Sequence, residues 1–275
     1  MKTFHVHLVS DSTGETVSMV ARACLVQFND TEPMEHIWSM IRTPAQIKKV
    51  LKNIKAKPGI VLYTLVDNNI RRGLEEGCRE IKVPCIALLD PTVEAIGAYI
   101  GAEIHAEPGR QHTMNAEYFN RIEAMHFVLA YDDGQLTRGL DKAEIIVVGV
   151  SRTSKTPTCL YLANRGIKAA NMPIVPGAPL PVELASIKKA FIVGLTCNPK
   201  QLIYIRRNRL KSLNRDEQSD YIDQSMVADE VREAKRIFKE HGWPVIDVTR
   251  KSIEEVAANI MNLYQRQQEI RTGKA

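Results

Sequence analysis

The segment Ala143-Glu-Ile-Ile-Val-Val148 runs directly into Gly149-Val150-Ser151-Arg152-Thr153-Ser154-Lys155-Thr156-Pro157. This is the strongest single constraint on the fold. A β-rich apolar strand, a loop opened by glycine and closed by Lys-Thr, and a helix start come in the order of a phosphate-binding loop, whose general form is G-x-x-x-x-G-K-[ST]. Each part has a physical reason. Successive backbone N–H groups curl round phosphate oxygens, and the helix N-terminus adds partial positive charge. Lys155 neutralises the outer phosphates, the Thr156 hydroxyl is placed to ligate Mg²⁺, and Arg152 can offer a fork to a phosphate oxygen. Pro157 suits a first helical turn, where a missing N–H costs nothing. Ser154 departs from the pattern, since glycine is usual there and a positive φ is costly for serine. The bland alternative is a plain strand-to-helix turn with an exposed lysine. Gly149, Val150, Ser151, Arg152, Thr153, Ser154, Lys155 and Thr156 are the candidate nucleotide-binding residues, with Lys155 also a candidate catalytic residue.

The rest of the chain repeats the alternation of strand and helix. Strands are expected over 4–9, 59–66, 83–89, 143–148, 167–175, 190–195 and 244–248. Helices are expected over 13–28, 68–82, 112–130, 157–164, 200–211, 219–241 and 252–265. Ser12-Thr13-Gly14-Glu15 and Ser252…Glu255 both read as capping boxes. This pattern predicts an α/β protein in two α/β halves, the C-terminal one a parallel sheet flanked by helices around the phosphate loop. The polar stretch 132–142 places the boundary near 135: an N-terminal α/β domain, 1–135, suited to target docking, and a nucleotide-binding kinase domain, 136–275.

Composition narrows the class. The 275 residues carry 44% hydrophobic and 25% charged side chains, as soluble globular chains do. Apolar runs fall far short of the ~20 residues that span a bilayer, and the N-terminus lacks a signal-peptide core, so a cytoplasmic protein is expected. The five cysteines include no C-x-x-C pair, which argues against a disulfide framework or structural zinc. The net charge of +5 (37 basic, 32 acidic) is too mild to indicate nucleic-acid binding.

Beyond the loop, single residues keep two readings each. Asp132 and Asp133 are candidate catalytic carboxylates or a helix-ending turn with Gly134. Asp11 is at the ligand-binding end of a strand or in a simple turn. Asp247 is a candidate Mg²⁺ ligand through water, or a cap before the last helix. Arg206, Arg207 and Arg209, with Lys211, form a lid or phosphate clamp, or a solvated helix face. His5 and His7 share a strand face, but nothing at ligand spacing joins them into a metal site.

The loop and its continuation Leu160-Tyr-Leu-Ala-Asn-Arg-Gly166 resemble a specific family, the bacterial pyruvate, phosphate dikinase regulatory proteins. So do His7-Leu-Val-Ser-Asp-Ser-Thr-Gly-Glu15, Gln111-His112-Thr-Met-Asn115-Ala-Glu-Tyr-Phe119, Asp132-Asp133-Gly134 and Trp243-Pro-Val-Ile-Asp-Val-Thr249. The pieces span nearly the whole chain. The resemblance implies a bifunctional enzyme. One activity phosphorylates a threonine of pyruvate, phosphate dikinase with ADP as donor, and the other removes the phosphate with inorganic phosphate, releasing pyrophosphate. His112 is a candidate proton shuttle for the second activity, or a cap or packing residue at a helix start. A sister group acts on phosphoenolpyruvate synthase and carries Cys-Gly where this chain has Thr153-Ser154, which favours the dikinase as partner. Within this family Ser154 is an expected residue. A homodimer is left open. The competing functions are a small-molecule kinase with Arg206–Lys211 as its lid, and a nucleotide-sensing module without catalysis.

Overall fold

A computed structural model describes residues 1–110, 114–134, 136, 138–187, 189–213 and 220–273. The chain divides into two compact units, Met1–Thr113 and Met114–Ala275. Each is built on a four-stranded parallel sheet, and no described helix is long and apolar enough to cross a membrane.

The first unit runs β1 (Lys2–Ser10), α1 (Glu15–Leu25), β2 (Thr31–Trp38), α2 (Pro44–Ala56), β3 (Gly59–Thr64), α3 (Asn68–Ile81), β4 (Cys85–Ala87) and α4 (Asp90–Ile100). The sheet order is β2-β1-β3-β4. Side chains alternate across it as a pleat requires. Val6 and Leu8 pack with Val17 and Ala21 of α1, whereas Val9, Val61 and Tyr63 pack with Ile47, Val50 and Ile54 of α2 and Leu74 and Cys78 of α3. The sequence reading placed no element over 29–58 or 90–100, where β2, α2 and α4 lie. β2 is an edge strand with no fully buried residue, so it lacks the apolar run that marks a central parallel strand. α2 does carry a signal, a complete capping box between Thr43 and Gln46.

The expected box at Ser12–Glu15 does not form. Gly14 caps α1 in the left-handed region (φ 86°), without a side-chain cap. The preceding residues are bound elsewhere: Ser10 Oγ accepts from Thr64 Oγ1 (3.1 Å), and the buried Asp11 carboxylate accepts from the Val66 amide (2.7 Å). Burial pushes the Asp11 carboxyl up despite that bond. Asp11 thus ties the end of β1 to the loop after β3. His7 is committed to structure as well. Its Nε2 donates to the Lys57 carbonyl (2.9 Å), and its Nδ1 accepts from Trp38 Nε1 (3.3 Å). Burial holds its pKa below the ordinary histidine value.

The second unit runs α5 (Ala116–Ala130), β5 (Ile145–Gly149), α6 (Lys155–Ala163), β6 (Ala169–Pro173), α7 (Val182–Ser186), β7 (Phe191–Thr196), α8 (Pro199–Ser212), α9 (Gln224–Glu240), β8 (Val245–Asp247) and α10 (Ile253–Thr272). The order is β6-β5-β7-β8. β5 and β7 are buried along their full length, so their sequences read as unbroken apolar runs. Ile145 and Val147 face α5, α6 and α10, while Ile146 and Val148 face α8 and α9. The Ser252–Glu255 capping box of α10 is present. The division falls ahead of the boundary read at 135. The physical reason is Ala124 and Val128: they bury α5 against α6 and the second sheet, so this helix opens the second unit.

Candidate active site

The loop after β5 lies at the C-terminal edge of the sheet, between strands whose connections leave in opposite directions, where open α/β sheets bind ligands. Gly149 is required by packing. A Cβ there would stand 2.7 Å from the Leu195 carbonyl oxygen and 3.0 Å from Thr153 Oγ1. Gly149→Ala therefore forces β5 and β7 apart at the loop's root. It is expected to destabilise the protein by about 1–3 kcal/mol, measured as a lower denaturation midpoint with an unchanged slope.

The loop takes the shape that its sequence leaves in question. Arg152 (φ 71°) and Ser154 (φ 60°) are both left-handed, and Ser154 caps α6. For a residue with a Cβ this costs about 1–2 kcal/mol. The backbone N–H groups from Ser151 to Ser154 donate to no acceptor among the described residues. Alternating hand with unsatisfied N–H groups forms a concave nest for an anion. Two bonds to the Val150 carbonyl hold its base, from Thr153 Oγ1 (2.9 Å) and Lys155 Nζ (3.0 Å). Lys155 is only 5% exposed. Burial lowers its pKa to about 8, opposed first by the charge of Asp133 and also by Asp132.

Asp132, Asp133 and Thr156 come together through Asn171, a residue that the sequence reading did not single out. Asn171 lies on β6 opposite Val147 of β5, and its amide N–H donates to the Tyr131 carbonyl (3.1 Å). That bond clips the 132–134 turn onto the strand. Asn171 Nδ2 then faces Asp132 Oδ1 (2.7 Å), Asp133 Oδ1 (3.1 Å) and Thr156 Oγ1 (2.8 Å). Thr156 Oγ1 itself donates to Asp132 Oδ1 (2.8 Å). Two amide hydrogens serve three oxygens, and Asn171 Oδ1 is buried with no partner. The cluster of hard oxygen donors, two of them carboxylates, suits Mg²⁺. The signal in the sequence was an amide inside the run Ile167–Val175, where a buried parallel strand has little use for one.

The remaining candidates lie apart from this cluster. Asp247 ends β8, two strands from β5, about 10 Å by sheet spacing. Its Oδ1 accepts from the amide and hydroxyl of Thr249, within its own turn. Arg206 points inward and is 1% exposed. It forms a bidentate pair with Glu230 of α9 (2.7 and 2.8 Å) and donates to the Ser151 carbonyl (3.1 Å) and the Tyr221 carbonyl (3.1 Å). Its guanidinium also stacks on the Tyr221 ring, 4.5 Å from the centroid. Arg207 and Arg209 are exposed on the other side of α8. The arginines are therefore divided: Arg206 braces the loop backbone, and the other two face outward. His112 lies outside the described residues.

A pocket of about 520 Å³ opens over the loop, lined by Asp133, Arg152, Lys155, Thr156 and Ile205 among others. Cation, nest, hydroxyl and the Asp133 carboxylate thus face one space, as phosphoryl transfer requires. Residues 6–261 match the family described as kinase/pyrophosphorylase. The chain belongs to that family. This membership makes it a phosphotransferase. Three relatives are named pyruvate, phosphate dikinase regulatory proteins. That of Paramagnetospirillum magneticum is 56% identical over 275 residues, covering 100% of this chain and 88% of the relative. That of Rhodospirillum rubrum is 55% identical, covering 95% of each chain, and that of Caulobacter vibrioides is 52% identical, covering 94% of this chain and 82% of the relative.

Proposed function

We propose that this kinase/pyrophosphorylase family member regulates pyruvate, phosphate dikinase by phosphorylating one of its threonines with ADP and by removing that phosphate with inorganic phosphate. The observation that carries the reading is the Lys155–Thr156 loop, which shares one pocket with Asp133 and whose Thr156 hydroxyl is bonded to Asp132 and Asn171. The relatives' names supply the target, and the family description carries both a kinase and a pyrophosphorylase.

In the forward direction the threonine oxygen attacks the β-phosphorus of ADP. A new P–O bond forms and the bond to the bridging oxygen breaks. AMP leaves with that electron pair, and the threonine proton passes to a carboxylate. Asp133 is assigned as this base because it lines the pocket, whereas Asp132 accepts from both Thr156 and Asn171. In the reverse direction an oxygen of inorganic phosphate attacks the phosphothreonine. Pyrophosphate departs, and the threonine oxygen takes a proton back. The loop amides and Lys155 hold the phosphates in both directions, and a shared site needs only the two leaving groups to alternate. Thr156 and Asp132 are the residues that would hold Mg²⁺. The ion, when bound, supplies charge neutralisation on the phosphate oxygens.

The deciding experiment supplies β-³²P-ADP, Mg²⁺ and the dikinase and follows label onto protein. Transfer from ADP supports the reading. Transfer from ATP to a small acceptor instead overturns it, and labelling of phosphoenolpyruvate synthase would change only the partner.

Lys155 adds a pH dependence. Its pKa is lowered to about 8, so in the free protein the ammonium loses its charge as pH rises through that value. ADP affinity is expected to fall from about pH 8 upward, as equilibrium binding on either side of it would report. The sign for stability is opposite. Between about 8 and 10.5 the unfolded chain holds a proton that the folded chain has released, so raising pH in that window adds stability from this group.

A further inference from the structure

A second pocket, of about 590 Å³, adjoins the loop pocket and shares Ser151, Pro173 and Val175 with it. Its floor is apolar. Val175 and Met226 are 54% and 51% exposed there, beside the Tyr221 ring. Its charged lining is Asp220, Asp229, Glu230 and Glu233 against Arg206 alone. Glu230 is spent on Arg206, and Asp229 and Glu233 are held by Arg232 and Arg236 on α9. Asp220 has no cationic partner among the described residues. A lining with excess carboxylate and no free cation among the described residues repels phosphate and attracts a basic group.

The position of this pocket identifies its occupant. Lys155 and Thr156 mark where the outer phosphates lie in a loop of this kind. Pro173, on the shared wall, abuts Gly134, next to Asp133: a Cβ on Gly134 would stand 3.2 Å from Pro173 Cδ. The second pocket therefore opens from the side that holds the carboxylates and the transferable phosphate. In-line transfer brings the acceptor to that phosphate from the side away from the leaving group.

We propose that this pocket receives the acceptor polypeptide, seating an apolar residue beside the reacting hydroxyl against Val175, Met226 and Tyr221, and pairing a basic residue with Asp220. The proposal rests on the protein-kinase reading above and adds the sequence chemistry of the segment that the site takes. It makes Met226 and Asp220 specificity-determining residues.

The test measures ADP binding by equilibrium dialysis and KM for the protein acceptor, in wild type, Met226→Glu and Asp220→Asn. Met226→Glu is expected to raise acceptor KM by about tenfold or more, with ADP affinity unchanged. Asp220→Asn is expected to raise it by about threefold, with a weaker salt dependence. Both positions are on the surface, and an unchanged melting transition verifies folding. A loss of ADP affinity in Met226→Glu with acceptor KM unchanged would give the pocket to the nucleoside and overturn the proposal. Unchanged values in both variants would overturn it too, while wild-type transfer from ADP left the functional reading standing. No transfer by the wild type to any protein acceptor would instead remove the functional reading, and this proposal with it.

Discussion

Lys155→Ala is expected to lower phosphoryl transfer by about 10³-fold or more. Losing one preorganised neutral donor at a developing charge costs about 10²–10³-fold, and here the lost group is a cation in the loop proposed to hold the phosphates. The same substitution should leave the fold intact. Lys155 is buried and its charge is disfavoured there, so removing it relieves desolvation, which offsets the loss of its bond to the Val150 carbonyl and of its attraction to Asp133 and Asp132. Activity and stability therefore separate. Single-turnover transfer should collapse while the thermal transition stays in place or rises. A variant with full activity would remove the loop from the mechanism.

The second large effect is expected at Asn171. Asn171→Leu keeps the side-chain volume but removes the donor shared by Asp132, Asp133 and Thr156. The two carboxylates then repel each other without an intervening N–H, and the 132–134 turn loses its side-chain anchor. Removing an outer partner of a metal ligand typically costs about 10–100-fold in affinity or activity. We expect transfer to fall by about 10²-fold, with a higher Mg²⁺ concentration needed for half-maximal rate. Asn171→Asp should be no better, since it adds a third carboxylate. Wild-type Mg²⁺ dependence in Asn171→Leu would show that the cluster is structural.

These two residues also mark how far the sequence could be read. The loop that carries Lys155 was legible because it is local: strand, loop and helix start are consecutive in the chain. Asp132 and Asp133 were legible only as alternatives, because a helix-ending turn and a catalytic pair look alike in one dimension. Asn171 was not legible as a site residue. Its meaning comes from the parallel register that sets it opposite Val147, a contact between strands that no local pattern encodes. Tertiary bonds likewise decided between two similar capping patterns. Ser252 and Glu255 form theirs, but after Ser12 the helix starts instead from Gly14 in the left-handed region, while the neighbouring Ser10 and Asp11 bind Thr64 and Val66. Arg206 shows the same limit in charge patterning. Three arginines in four positions read as one cluster, and the helical turn sends one inward and two outward.

The Arg206–Glu230 pair carries a kinetic consequence. The Arg206–Glu230 pair is buried, and the same guanidinium also holds the loop carbonyl of Ser151 and stacks on Tyr221. A helix pinned this way cannot swing out and back on each catalytic cycle without losing those bonds every time. We therefore expect α8 to behave as a fixed wall, with turnover not limited by its opening. The slow event is left to the bond exchange itself or to the parting of two macromolecules. Solvent viscosity should then slow the reaction only through that parting, and hardly at all when a short peptide replaces the full acceptor.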